Sequence, residues 1–226
     1  WHGTTTQTPP YADLEPRFHA TILYNGSQWK GRTIEPFVGG VDGWCQWNLD
    51  REPMGRTTTG YYLRKLVDES HDVIAYSGGV QPLIIMRYAE VLLNKAEACY
   101  HLDKTAEANA AVKAVRSRVE LPYTDKAGSA LWDAIRQERK VELAFEGLWY
   151  WDLRRWGVAH KQYPEGLTGY QQHGLKIEDN GDGTFTYTYV SVDDQDRNFP
   201  QKMYRFPMPS GELNNNALVE QYPEWK

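Results

Sequence analysis

A mainly α fold of helix pairs, with a loop-rich opening and a small β-hairpin, is predicted from three observations. Apolar residues recur at three- and four-residue steps through the middle of the chain. From Trp1 to about Gly60 the chain is rich in Gly, Pro, Thr and aromatics, with no sustained helical period. Near the C-terminus, Asn180-Gly181-Asp182-Gly183 separates two strand-like runs. We expect one domain over residues 1–226: a loop-rich segment at 1–80, a helical region at 81–160, and an irregular tail with the hairpin at 161–226.

Arg17-Phe18-His19-Ala20-Thr21-Ile22-Leu23-Tyr24 alternates in the manner of a strand and runs into an Asn25-Gly26 turn. After Pro82, a residue suited to an opening helical turn, Leu83, Met86, Ala89, Leu93, Ala96 and Tyr100 define the first helix. A break at Asp103 leads to a second helix over residues 105–119, with Ala108, Ala111, Val112, Val115 and Val119 on one side. A third, over 129–146, has Ser129 as its expected N-cap and Leu131, Ile135, Leu143 and Phe145 as core candidates. Gly147 breaks it, and a short fourth helix over 148–155 carries an aromatic cluster and ends at Gly157. The tail, with Phe206-Pro207-Met208-Pro209, reads as ordered because its prolines fix direction.

A net charge of −5 with dispersed Lys and Arg argues against nucleic acid as a partner, since phosphate neutralisation needs a basic stripe. The longest aliphatic string is Leu83-Ile84-Ile85-Met86, far short of the roughly 20 residues that cross a bilayer. Cys45 and Cys99 allow one bridge, which sequence leaves undecided; Cys99 reads as a small apolar thiol on a buried helix face. Nine tryptophans and fifteen tyrosines are many, and such rings suit stacking on ligands as well as cores.

Glu138, Glu142 and Glu146 repeat every fourth residue and share one helix face. Glycosidase chemistry would need one carboxyl kept apart from cations so that its pKa can rise. With Arg139, Lys140, Arg154 and Arg155 at hand, structural ion pairing is the expectation, with Glu138, Arg139, Glu142 and Arg154 as its members. The six histidines never take the one-turn spacing of helical zinc sites, and the Asn180–Gly183 turn lacks a closing Glu, so neither a metal site nor a cofactor is indicated. No nucleophile elbow and no phosphate loop is present. What remains is the set of rings in the loop-rich opening. Trp29, Trp44 and Trp47, with Trp1 and Tyr11 behind them, are the expected ligand contacts, because sugars stack their C–H faces on such rings.

Met86-Arg87-Tyr88-Ala89-Glu90-Val91-Leu92-Leu93-Asn94-Lys95-Ala96-Glu97-Ala98, the run from Ile135-Arg136-Gln137-Glu138-Arg139 to Leu153-Arg154-Arg155-Trp156-Gly157, and Phe206-Pro207-Met208-Pro209 with Glu212-Leu213-Asn214-Asn215-Asn216 together resemble the C-terminal half of the SusD/RagB family. Glu15-Pro16-Arg17-Phe18 and Thr59-Gly60-Tyr61-Tyr62-Leu63-Arg64-Lys65 extend that resemblance toward the start of the chain. It implies tetratricopeptide-like helix pairs with a less regular ligand face. It also implies a non-enzymatic lipoprotein at the outer surface of Gram-negative bacteria, which captures oligosaccharides or other nutrients and passes them to a TonB-dependent, SusC-like transporter. On that resemblance the chain is expected to be a C-terminal portion, attached to the membrane only through a lipid anchor that it does not itself carry. The rival expectations are a scaffold that docks the transporter and a glycoside hydrolase using the helix carboxylates.

Overall fold

The computed structural model describes residues 3–46, 56–71, 84–164, 172–193, 195 and 197–226. By backbone contacts the chain divides into two compact units, Trp1–Glu146 with Gln172–Asp193, and Gly147–Gln171 with Asp194–Lys226.

The first unit opens with strand β1 (Thr4–Thr5), helix α1 (Pro16–Thr21) and strand β2 (Ile22–Leu23), followed by β3 (Gln28–Trp29), β4 (Arg32–Thr33) and β5 (Tyr62–Leu63). The expected strand at residues 17–24 is therefore a helical turn and a half ending in a two-residue strand. Pro16 at the first helical position presets φ for the helix, and the helical turn brings the Arg17 side chain into the interior, where it is 8 % exposed. Tertiary pairing overrides the local alternation. β2 pairs with β5, and the hairpin joins β3 to β4 through Lys30 and Gly31, whose φ values of 50° and 75° suit a primed turn.

Helices α2 (Tyr88–His101), α3 (Thr105–Ser117) and α4 (Gly128–Glu142) pack around Ala96, Cys99, Ala108, Ala111, Val112, Leu131 and Ile135, the residues that the helical period marks. Small alanines on α3 permit close approach. Asn109 pins the connection from α3 to α4: its Nδ2 donates to the carbonyls of Thr105 and Lys126, both at 2.9 Å, and its Oδ1 accepts from Tyr123 Oη at 2.8 Å and from the Lys126 amide at 2.9 Å. All four of the amide's capacities are thereby used.

Two helix ends differ from expectation. Pro82 and Leu83 lie outside the described residues. α2 begins only at Tyr88, because Arg87 is extended at φ −137° and ψ 160° and Met86 is exposed. α4 stops at Glu142, with Ala127 and not Ser129 at its N-cap position. Beyond it Phe145 has φ +64° and is exposed, so it is not a core residue. The Lys65 ammonium donates to the carbonyls of Glu142 and Ala144 at 3.0 and 2.9 Å, and Arg87 Nη2 donates to the Glu142 carbonyl at 2.6 Å. Cations from distant segments thus cap the C-terminal carbonyls and end the helix four residues early.

The hairpin strands β6 (His173–Asp179) and β7 (Phe185–Ser191) pair antiparallel, with β1 on the far side of β7. Asp179 and Asp182 accept backbone amides two residues on, at 2.9 Å each, so the Asn180–Gly183 segment is a side-chain-braced turn. The edge of β6 is covered by loop backbone: the Val38 amide donates to the Ile177 carbonyl at 2.8 Å, and the Leu175 amide to the Thr59 carbonyl at 2.9 Å. Leu175, Ile177 and Tyr187 form a second core on this face, with Phe37, Tyr61, Phe185 and Tyr189 packed against it. Cys45 and Cys99 are both buried, with no bridge between them.

The second unit contains α5 (Trp149–Arg155), α6 (Ala159–Gln162) and α7 (Ser210–Asn215). α5 ends as Gly157 predicts. With φ +66°, Gly157 donates to the Arg154 carbonyl, and Val158 donates to that of Leu153, both at 3.0 Å, in a Schellman arrangement. Leu153, Ala159 and Phe199 make the core of this unit. Among the described residues no helix is long and apolar enough to cross a membrane.

Candidate ligand-binding surface

Glu138 and Glu142 on α4, with Glu146 just beyond it, form an ionic network. Arg17 Nη1 lies 2.6 Å from Glu138 Oε1 and 2.9 Å from Glu142 Oε2, while its other nitrogens hold both oxygens of Glu15. Glu138 also pairs with Arg116 at 2.8 Å, and Glu142 with Arg87 at 2.6 Å and Arg118 at 2.9 Å. Glu146 takes Arg87 at 2.7 Å and Lys65 at 2.6 Å. Burial works against the charged forms of Glu142 and Glu146. Hydrogen bonds from Arg87, joined by Arg17 at Glu142 and by Lys65 at Glu146, outweigh it and hold both carboxyls below the usual range.

Arg17, Lys65, Arg87, Arg116 and Arg118, which lie outside α4, supply these pairs. Arg139 is buried and donates to Asn94 Oδ1 at 2.6 Å. Arg154 belongs to the second unit, where it donates to the carbonyls of Met203 and Tyr204 at 2.5 and 2.8 Å and lies over the Phe206 ring at 4.5 Å. Within that unit it braces the segment after Phe199.

Of the expected ligand rings, Tyr11, Trp29 and Trp44 are described. Trp1 and Trp47 lie outside the described residues. Tyr11 is 7 % exposed and stacks on Tyr24 at 4.2 Å, so its ring serves the core. Burial next to Tyr61 pushes its phenol well above the ordinary range. Trp44 is half-buried, its indole donating to the Thr58 carbonyl at 3.1 Å with the Lys176 ammonium over its ring. Trp29 is half-buried on β3, with the Arg64 guanidinium 5.7 Å from its ring centre, and lines an open groove with Lys65 and Glu69.

Sequence reasoning missed a cleft of about 480 Å³ at the hairpin. One wall is the segment from Gln7 to Pro10. Facing it are Tyr61 and the β6/β7 residues His173, Leu175 and Tyr189. The His173 and Tyr189 rings stack at 4.6 Å and 5° as a diagonal cross-strand pair. Two glycines permit this wall. A Cβ on Gly60 would meet the Leu175 carbonyl oxygen at 2.5 Å, and one on Gly174 would meet Thr59 Cα at 2.5 Å. Their absence lets the residue 57–61 loop lie directly on β6 and delivers Tyr61 to the cleft. The available signal was the alternation of β7, which puts Tyr187 and Tyr189 on one face, the first in the core and the second at its rim.

A volume within the roughly 300–1,000 Å³ of small-molecule sites, walled by flat rings with a few polar groups, is the form of a ligand-binding surface on an α-rich scaffold. The chain belongs to the SusD family, whose profile matches residues 2–225. A SusD-like protein of Formosa agariphila is 37% identical over 87 residues, covering 34% of this chain and 17% of that protein. Among solved structures, a SusD-like protein of Bacteroides fragilis superposes with TM-score 0.72 at 29% identity, covering 92% of this chain and 38% of its own. Another B. fragilis protein, described as a SusD-like carbohydrate binding protein, gives TM-score 0.67 at 27% identity over 96% of this chain and 44% of its own. The chain thus spans less than half the length of these relatives.

Proposed function

We propose that this chain captures oligosaccharides, or a nutrient of like surface, at the bacterial outer surface without chemistry of its own, and that the captured ligand passes to a TonB-dependent, SusC-like transporter. The observation that carries the reading is the ring-walled cleft of Tyr61, His173 and Tyr189 in a chain of the SusD family. Rings offer sugar C–H faces a partner, and Gln7 and Thr8 offer hydroxyl partners beside them. The relative described as carbohydrate binding supports the same ligand class. A non-catalytic role is supported by the Glu142 and Glu146 carboxyls, which are paired with cations and held acidic, the opposite of what a general acid requires.

Trp29 and Trp44 stay within this proposal as secondary ligand contacts, Trp29 through its open groove. The test is calorimetric titration and affinity-gel retardation of the chain against an oligosaccharide panel, with Tyr61→Ala, the exposed His173→Ala, Trp29→Ala and Trp44→Ala in parallel. Retardation weakened by the first pair, with thermal midpoints kept for His173→Ala, is the expected result. Binding that survives both cleft substitutions would remove the cleft from the proposal. Co-purification with the transporter from outer membranes tests the delivery step.

A further inference from the structure

The cleft wall carries a chemical signature beyond its shape. Among its described lining residues there is no Lys, Arg, Asp or Glu, and His173 is the sole group that can take a positive charge. The cation nearest in sequence, Lys176, sits on the opposite face of β6. There it pairs with Glu178 at 2.7 Å and lies over the Trp44 ring. By contrast, the Trp29 groove and the α4 network are built on Arg64, Lys65 and other cations. From this we infer that the cleft of Gln7–Pro10, Tyr61, His173 and Tyr189 selects uncharged sugar units and discriminates against uronate- or sulfate-bearing ones. The inference rests on the glycan reading above and adds a ligand class to it.

The physical reason is desolvation. A neutral hexose or pentose can lay a C–H face against Tyr61 or Tyr189 and turn its hydroxyls toward Gln7, Thr8 or water, so it loses little hydration. A carboxylate or sulfate brought to the same wall sheds water and finds no guanidinium or ammonium among the described lining residues to replace it. Proline at positions 9 and 10 deepens the deficit, since Pro carries no backbone N–H to offer an anion.

The experiment titrates the 226-residue chain at pH 8 with neutral oligosaccharides of glucose, galactose, mannose and xylose. Length-matched oligomers carrying uronate or sulfate groups run alongside, at low and high salt. The expected result is that the best neutral ligand binds about tenfold or more tightly than its acidic counterpart. Thr8→Lys, which places an ammonium on the exposed wall, should narrow that gap by raising acidic binding. An acidic oligomer that binds the unaltered chain as tightly as the neutral one, and loses that binding in His173→Ala, overturns the inference while leaving glycan capture intact. An unchanged gap in folded Thr8→Lys overturns it as well, since selectivity would then arise elsewhere. Absence of binding by every sugar, neutral or acidic, overturns the glycan reading itself and this inference with it.

Discussion

Arg17 Nη1 reaches Glu138 Oε1 at 2.6 Å across 121 positions of sequence, and the same nitrogen lies 2.9 Å from Glu142. One guanidinium therefore ties α1 to two turns of α4, with both carboxylates almost wholly out of solvent. Removing it leaves buried negative charge short of a partner. Arg17→Met is expected to cost about 3–5 kcal/mol of unfolding free energy in a urea titration. Arg17→Lys should recover little of it, because an ammonium cannot hold Glu15 and the α4 pair at once.

Acid should loosen the same network. Glu142 and Glu146 have folded pKa values below their unfolded ones, so their contribution is complete above the ordinary Glu value of about 4.3 and is lost as pH falls through the depressed values. Denaturation midpoints should stay level from neutrality to mild acid, then drop. Glu146→Gln should start lower and show a shallower drop; an equally steep one would remove Glu146 as a contributor.

Gly60 has φ +77°, and its missing side chain accommodates the Leu175 carbonyl. Gly60→Ala is expected to destabilise by about 1–3 kcal/mol through strain at that backbone. It should also weaken ligand retention more than its loss of stability explains, by moving Tyr61. Gly174→Ala should behave alike, since its Cβ would strike the same loop at Thr59.

Arg154 holds the carbonyls of Met203 and Tyr204, so Arg154→Ala leaves two acceptors unpaired. We expect a loss of about 1–3 kcal/mol confined to the second unit. Amide exchange should rise around Gln201–Tyr204, while the amides of α2, α3 and α4 keep their protection.

The sequence by itself determined the elements whose cause is local. The apolar steps through Leu93 and Ala96, the alanine face of α3, the Gly157 stop and the Asn180–Gly183 hairpin each depend on residues within a few positions, where helical or strand period and turn chemistry suffice. It also carried the resemblance to the SusD family, which the match over residues 2–225 bears out. Tertiary structure alone decided which cations neutralise Glu138, Glu142 and Glu146, where α4 stops, and that Tyr61, His173 and Tyr189 share one wall. Each of these depends on segments far apart in the chain: Arg17 and Arg87 reaching α4, and Gly60 lying against Leu175. Spacing records what a residue's neighbours in sequence favour. Which distant group arrives to satisfy a buried charge or to complete a cleft is settled only when the chain closes on itself.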